Sequence, residues 1–271
     1  QYLYVGYEDQ SNIGIYDTAQ LQEDYYGLFR DRQYSGLDRV ADANQFTLGF
    51  TTRLFDQTNR EKLKFSVGQI MYLENSKVSI DDAFEETTQS TSVLAAELDA
   101  QLYNDWFVSG SVQHDTETGE NKKNEITLDY RPSSDRLLQL SYRYVPDLLN
   151  TNTNDQVDIS QAGVRTSWPI SDNLYFVGNY YYDLNESRNI ETYTGVQYES
   201  CCWALRLSYH YRIKTNYDDD LSESVDGREE FESGVYLNFV IKGLGGSGPL
   251  GVDDMLNEGL FNYRKPLYLR N

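Results

Sequence analysis

The chain has 271 residues, 23 basic against 43 acidic side chains, a net charge of −20 and a mean hydropathy of −0.65. So acidic a chain excludes nucleic acid as partner, because neutralising phosphates takes a basic surface, and no run approaches the roughly 20 apolar residues of a spanning helix. Tyrosine is abundant, 24 residues beside 11 Phe and 3 Trp but only 2 Met and 5 Pro, which leans towards β-structure.

Gln1 starts the chain without an initiator Met or a signal peptide, so a mature chain or a fragment is expected. Period-two alternation then recurs almost throughout. The predicted strands are 2–7, 46–54, 63–73, 94–102, 106–112, 126–130, 138–144, 160–168, 174–182, 190–198, 203–212 and 230–241, about twelve in all. Along 94–102, Leu94, Ala96, Leu98, Ala100 and Leu102 oppose Ala95, Glu97, Asp99 and Gln101. Along 203–212, Trp203, Leu205, Leu207, Tyr209 and Tyr211 oppose Ala204, Arg206, Ser208, His210 and Arg212. In the last strand Phe231, Val235, Leu237, Phe239 and Ile241 share one face, opposite Glu230, Glu232, Gly234, Tyr236 and Asn238.

Many of these strands are longer than the ~5–6 residues usual in soluble sheets. Their polar face is too charged for a soluble core, and their apolar face too regular to be left in water. The fold class expected is all-β: an antiparallel transmembrane outer-membrane β-barrel with a wet interior. Aromatic residues at strand ends, such as Trp168, Trp203, Tyr144 and Tyr182, fit interfacial girdles. A soluble lipocalin-like barrel would reverse the faces and line its cavity with Glu97, Asp99 and Arg206.

Connections alternate long and short, as extracellular loops and periplasmic turns do in such barrels. Residues 1–242 are expected to form strands with long extracellular loops at 8–43, 75–89, 146–156 and 213–228, and 243–271 a glycine-rich periplasmic tail. Acidic residues cluster in the loops. Asp218–Asp226 is expected to face outward and to bridge anionic lipid through divalent cations.

Cys201 and Cys202, the only cysteines, adjoin at a short turn on the periplasmic side. Neighbouring α-carbons lie about 3.8 Å apart, closer than the roughly 4.4–6.8 Å of a relaxed disulfide, so closure of the pair on itself is strained. Two thiols, half of a metal site, or two bridges to cysteines outside this sequence are the alternatives. The oxidising periplasm weighs against thiols. The only histidines, His114 and His210, sit well along strands, which weighs against a metal. Bridges to outside cysteines lead.

Several segments resemble the lipopolysaccharide-assembly outer-membrane translocon family, LptD. The match is carried by YDTAQLQEDYYGLFRDRQYSGLDRVADANQFTLGFTTRLFD (16–56), SVGQIMY (66–72), LLQLSYRY (137–144), ISQAGVRTSWPI (159–170) and GVQYESCCWALRL (195–207), the last around the vicinal cysteines. The resemblance implies that this chain supplies about twelve C-terminal strands of a barrel of roughly 26. It also implies that Cys201 and Cys202 form disulfides with a cysteine pair far N-terminal of this segment. Implied partners are lipopolysaccharide, an LptE-type lipoprotein plug inside the barrel, a periplasmic Lpt bridge reached through an N-terminal domain, and the barrel-assembly machinery during folding. The location implied is the bacterial outer membrane. Lipopolysaccharide would leave sideways through a lateral opening whose last strand carries Phe231, Val235, Leu237, Phe239 and Ile241. No enzyme, cofactor or metal is expected; GLGGSG at 243–248 lacks the lysine of a phosphate-binding loop. A passive porin-like or substrate-specific channel is the alternative. A phospholipase-type barrel is a weaker one, since His114 and His210 near Ser109, Ser111 and Ser208 make no catalytic arrangement by alternation alone.

Overall fold

The structure, a computed structural model, describes residues 1–80, 89–133, 135–149, 156–213 and 231–241. They form twelve antiparallel strands in one sheet, each lying beside its neighbours in sequence: β1 (Tyr2–Val5), β2 (Ala43–Phe55), β3 (Glu61–Glu74), β4 (Leu94–Tyr103), β5 (Trp106–His114), β6 (Asn121–Ser133), β7 (Arg136–Leu149), β8 (Gln156–Ser171), β9 (Leu174–Asp183), β10 (Arg188–Glu199), β11 (Trp203–Ile213) and β12 (Phe231–Ile241). The alternation located every strand. Boundaries shifted where it is masked. β6 starts in Asn121–Asn124, polar on both faces, and β7 runs through Pro146 to Leu149, into the connection expected at 146–156, of which 150–155 lie outside the described residues. The acidic segment 213–228 lies outside the described residues from 214 onwards, as does the tail 243–271.

Two compact units divide the chain. One contains Gln1–Ala100, Ser109–Ile126 and Val145–Val157, the other Gln101–Val108, Thr127–Tyr144 and Asp158–Asn271. In the first, β2 and β3 pair from Asn44↔Glu74 to Phe55↔Glu61, with irregularities near both ends. Their turn is closed by Asp56, whose Oδ1 accepts hydrogen bonds from the Thr58 amide at 2.8 Å, the Thr58 hydroxyl at 2.7 Å and the Arg60 amide at 3.0 Å. In the second, β8 to β12 pair in sequence, with register shifts at Pro169/Ser171 and at Asn189/Glu191. Proline cannot donate to a ladder and is tolerated at such a bulge.

In both units charged and polar side chains are buried beside apolar ones such as Ala95, Val177 and Tyr193, while the exposed strand positions are rich in large apolar side chains. In the first, Thr47, Lys64 and Ser66 are buried while Phe46, Leu48, Phe50 and Leu73 are exposed. In the second, Arg165, Ser167, Asn179, Glu191, Gln197, Arg206 and Ser208 are buried, whereas Val164, Tyr180, Val196, Leu205, Leu207 and Tyr209 lie open. A water-soluble sheet protein buries the other face. The exposed apolar side chains recur at alternate positions along the strands, an extent of apolar surface that marks an interaction face.

Candidate functional site

In the first unit, the segment between β1 and β2, residues 6–42, lies on the buried face of β2, β3 and β4. It is anchored by the aromatic run Tyr25–Phe29. Asp24 Oδ1 accepts the Gly27 amide at 2.6 Å and starts a single 3-10 turn, Gly27–Phe29. That turn drops Leu28, 1% exposed, into a cluster with Ile70 and Ala95, flanked by Phe29 and Tyr72. Strand glycines make room for it: a Cβ on Gly49 would stand 2.5 Å from the Phe29 ring, and one on Gly68 3.2 Å from Tyr25. Hydroxyls secure the contact. Tyr25 shares a 2.8 Å hydrogen bond with Thr51, Thr51 a 3.0 Å one with Ser66, and Thr47 donates to the Leu28 carbonyl at 3.1 Å.

The rest of this segment is held by side chains bonding to backbone. Asp38 Oδ2 accepts the amides of Tyr16 at 2.9 Å and Asp17 at 3.0 Å, and the Thr18 hydroxyl at 3.2 Å. These bonds, that from the Asp17 amide first, hold the Asp38 carboxyl down at about 2. Gln10 bonds both backbone groups of Val40 at 2.8 Å. The buried Tyr34 hydroxyl donates to the Val78 carbonyl at 3.0 Å, and burial, followed by the nearby Asp42 charge, pushes the phenol above its ordinary range. Desolvation likewise raises the Glu23 carboxyl. The sequence marked this segment as a long loop, but its seating on the sheet went unread. The signal was there in YYGLF, an aromatic cluster inside a polar stretch.

The second unit buries a set of hydrogen-bonded polar side chains beside apolar ones such as Val177 and Tyr193. Arg165 Nε donates to Asn179 Oδ1 at 3.2 Å, Arg206 Nε to Gln197 Oε1 at 2.8 Å, and Gln139 Nε2 to Asp129 Oδ1 at 2.8 Å. Buried charges are tolerable only when paired or hydrogen-bonded.

Cys201 and Cys202 occupy the turn between β10 and β11, closed by the Ser200 amide bonding to the Trp203 carbonyl at 2.8 Å. Both are exposed, and their sulfurs lie 2.9 Å apart, beyond the roughly 2.05 Å of a disulfide. The pair is not closed on itself, and both side chains point where a further chain could reach them. The turn is framed by Tyr198, Trp203 and Phe239, with ring centroids 5.2 and 6.0 Å apart along that row.

β12 ends the strand order and pairs with β11 without a bulge, from Ile213↔Phe231 to Trp203↔Ile241. Phe231, Val235, Leu237 and Phe239 all lie on one face of it, at 39, 69, 66 and 58% exposure, and Glu232, Tyr236 and Asn238 on its other face are exposed as well. Ile241 sits in register opposite Trp203. The cysteine turn and the last strand, read separately in the sequence, therefore meet at the Trp203 end of β11.

A family model described as LPS transport system D, LptD, matches residues 1–174. The chain belongs to the LptD family. Over its whole length it is 98% identical to the LPS-assembly protein LptD of Shewanella frigidimarina and 75% identical to that of Shewanella denitrificans. The LptD of Pseudoalteromonas atlantica is 45% identical over 99% of the chain. The chain spans about a third of the length of these LptD relatives, 35, 35 and 34% respectively. The family model stops short of the cysteine turn and β12, whereas the alignments to the LptD relatives cover both.

Proposed function

We propose that this chain is the C-terminal barrel portion of an outer-membrane lipopolysaccharide translocon, which inserts lipopolysaccharide into the outer leaflet through a lateral opening beside β12. The observation that carries the reading is the inverted polarity of the sheet, with charged residues buried and apolar residues exposed along the same strands. Family membership supports it, as does the printed name of the relatives, LPS-assembly protein.

The chemistry follows from the two faces. Lipopolysaccharide combines several acyl chains with a charged sugar head, and no single solvent suits both. The polar face offers the sugar a hydrated path, and the exposed apolar face borders the acyl chains. A closed barrel has no free edge, so cargo with both parts has to leave where a strand pair separates. β12, which among the described residues pairs with β11, is the strand we assign to that edge. An LptE-type lipoprotein inside the barrel, the periplasmic Lpt bridge, the barrel-assembly machinery and disulfides from Cys201 and Cys202 to an upstream pair complete the assembly in this reading.

The test is site-specific photocrosslinking in the full-length protein in cells. A crosslinker at Leu237 or Phe239 is expected to capture lipopolysaccharide, and one at Tyr16 in the 6–42 segment to capture far less. Normal surface lipopolysaccharide after depletion of the protein, with no capture at β12, would overturn the proposal.

A further inference from the structure

On the polar side of β11 and β12 lies a cavity of about 250 Å³ framed by His210, Arg212, Glu232 and Tyr236 over Gly234. Its shape comes from the register. His210 is paired with Gly234, so the residue opposite the imidazole has no side chain, and a gap opens between the ion pair on one side and Tyr236 on the other. A Cβ at Gly234 would stand 3.0–3.1 Å from the Tyr236 ring, so the gap depends on glycine. His210 is held edge-on between Tyr193, with centroids 4.4 Å apart, and Tyr236, 4.9 Å apart, and it shares a 3.3 Å hydrogen bond with Ser208. Arg212 and Glu232 pair at 3.2 Å, each roughly half exposed.

We propose that this cavity is a sugar-binding subsite, which a ring of the lipopolysaccharide core occupies as the headgroup passes the last strand pair; the assignment rests on the translocation reading above. The lining decides the ligand class. An acyl chain would leave the Arg212–Glu232 ion pair on one side of the gap without a polar partner from the ligand. A lone phosphate would find Arg212 already neutralised and the Glu232 carboxylate beside it. A cation would face the guanidinium. A sugar ring satisfies the whole lining: its C–H face packs on Tyr236, and its hydroxyls accept from Arg212 and donate to Glu232. The volume falls just below the roughly 300–1,000 Å³ of drug-sized pockets, which suits a single sugar ring. An exposed ion pair is weakly held, so hydroxyls insert without dismantling a rigid contact.

The test uses the full-length protein in its complex. The probe is lipid-free core oligosaccharide released from lipopolysaccharide by mild acid, with intact lipopolysaccharide in parallel. Saturation-transfer NMR is expected to show contact to sugar ring protons, and calorimetry to show binding weakened at least tenfold by Gly234→Val and by Tyr236→Ala. Tyr236→Phe, which keeps the ring, and Tyr180→Ala, on the opposite face of β9, are expected to stay within twofold of the parent. Should Gly234→Val fail to fold, judged by heat-modifiable mobility, Gly234→Ala replaces it. Oligosaccharide binding that ignores all these changes overturns the subsite. So does intact lipopolysaccharide binding without any oligosaccharide binding, and in that case the translocation reading stands. If the wild-type complex binds neither, the translocation reading fails first and the subsite with it.

Discussion

Asp56 illustrates how a single carboxylate sets a turn. The Thr58 hydroxyl first, then the Arg60 amide, hold its carboxyl at about 2, below the ordinary 3.8. A depressed folded pKa means that the ionised form stabilises the turn. That contribution is complete above about pH 4 and lost as the pH falls from there towards 2. The protection of the Thr58 and Arg60 amides, their exchange relative to the intrinsic rate at each pH, is therefore expected to hold at pH 5 and to fall below pH 3, and Asp56→Ala to remove it at both. On the buried face, Gln197 supplies Arg206 with an acceptor at 2.8 Å. Gln197→Leu is expected to cost about 1.5–3 kcal/mol, the range for hydrogen bonds to charged groups, read by urea unfolding in lipid. The cysteines were legible at this scale because a vicinal pair announces itself. Gln197 was not, because one glutamine on a polar face looks like any other until its partner strand is in place.

Elements carry the next lesson. Every strand was legible because the pleat puts alternate residues on opposite faces whatever the chain does elsewhere. The weak points were β6 and β7, where runs such as Asn121–Asn124 are polar on both sides and pairing extends the strand beyond its pattern. On the proposed barrel reading, the exposed faces meet lipid and follow its rule. Leu207→Arg, at mid-strand in β11, is expected to cost about 2–4 kcal/mol, against about 0–1 for Leu184→Arg in the β9–β10 turn, measured by refolding into vesicles. The seating of residues 6–42 depends on strand glycines. Gly49→Val would drive a side chain into Phe29 and is expected to release the segment, so that trypsin cuts at Arg30 and Arg32 faster while β2 and β3 stay protected.

At the scale of the whole molecule, the acidic balance and the two faces act together. The net charge of −20 leaves nucleic acid aside, and on the proposed barrel reading the buried polar residues face away from lipid. For the full-length protein, replacing Cys201 and Cys202 together is expected to abolish an oxidised, faster-migrating species on non-reducing electrophoresis, and each single replacement to leave one bridged form. Unchanged mobility in the double replacement would remove the disulfide assignment.

Composition and alternation were enough to establish an all-β chain, its twelve strands and which side of each is apolar, because those properties are local: the pleat fixes them residue by residue. Folding alone decided what shares the polar face. Leu28 meets Ile70 and Ala95, Tyr25 meets Thr51, and Gly234 opens a gap opposite His210. Each of these contacts joins residues far apart in the chain, and no period in the sequence encodes them. They exist because strand register brings small residues opposite large ones, and the space left open is filled by whatever side chain can reach it.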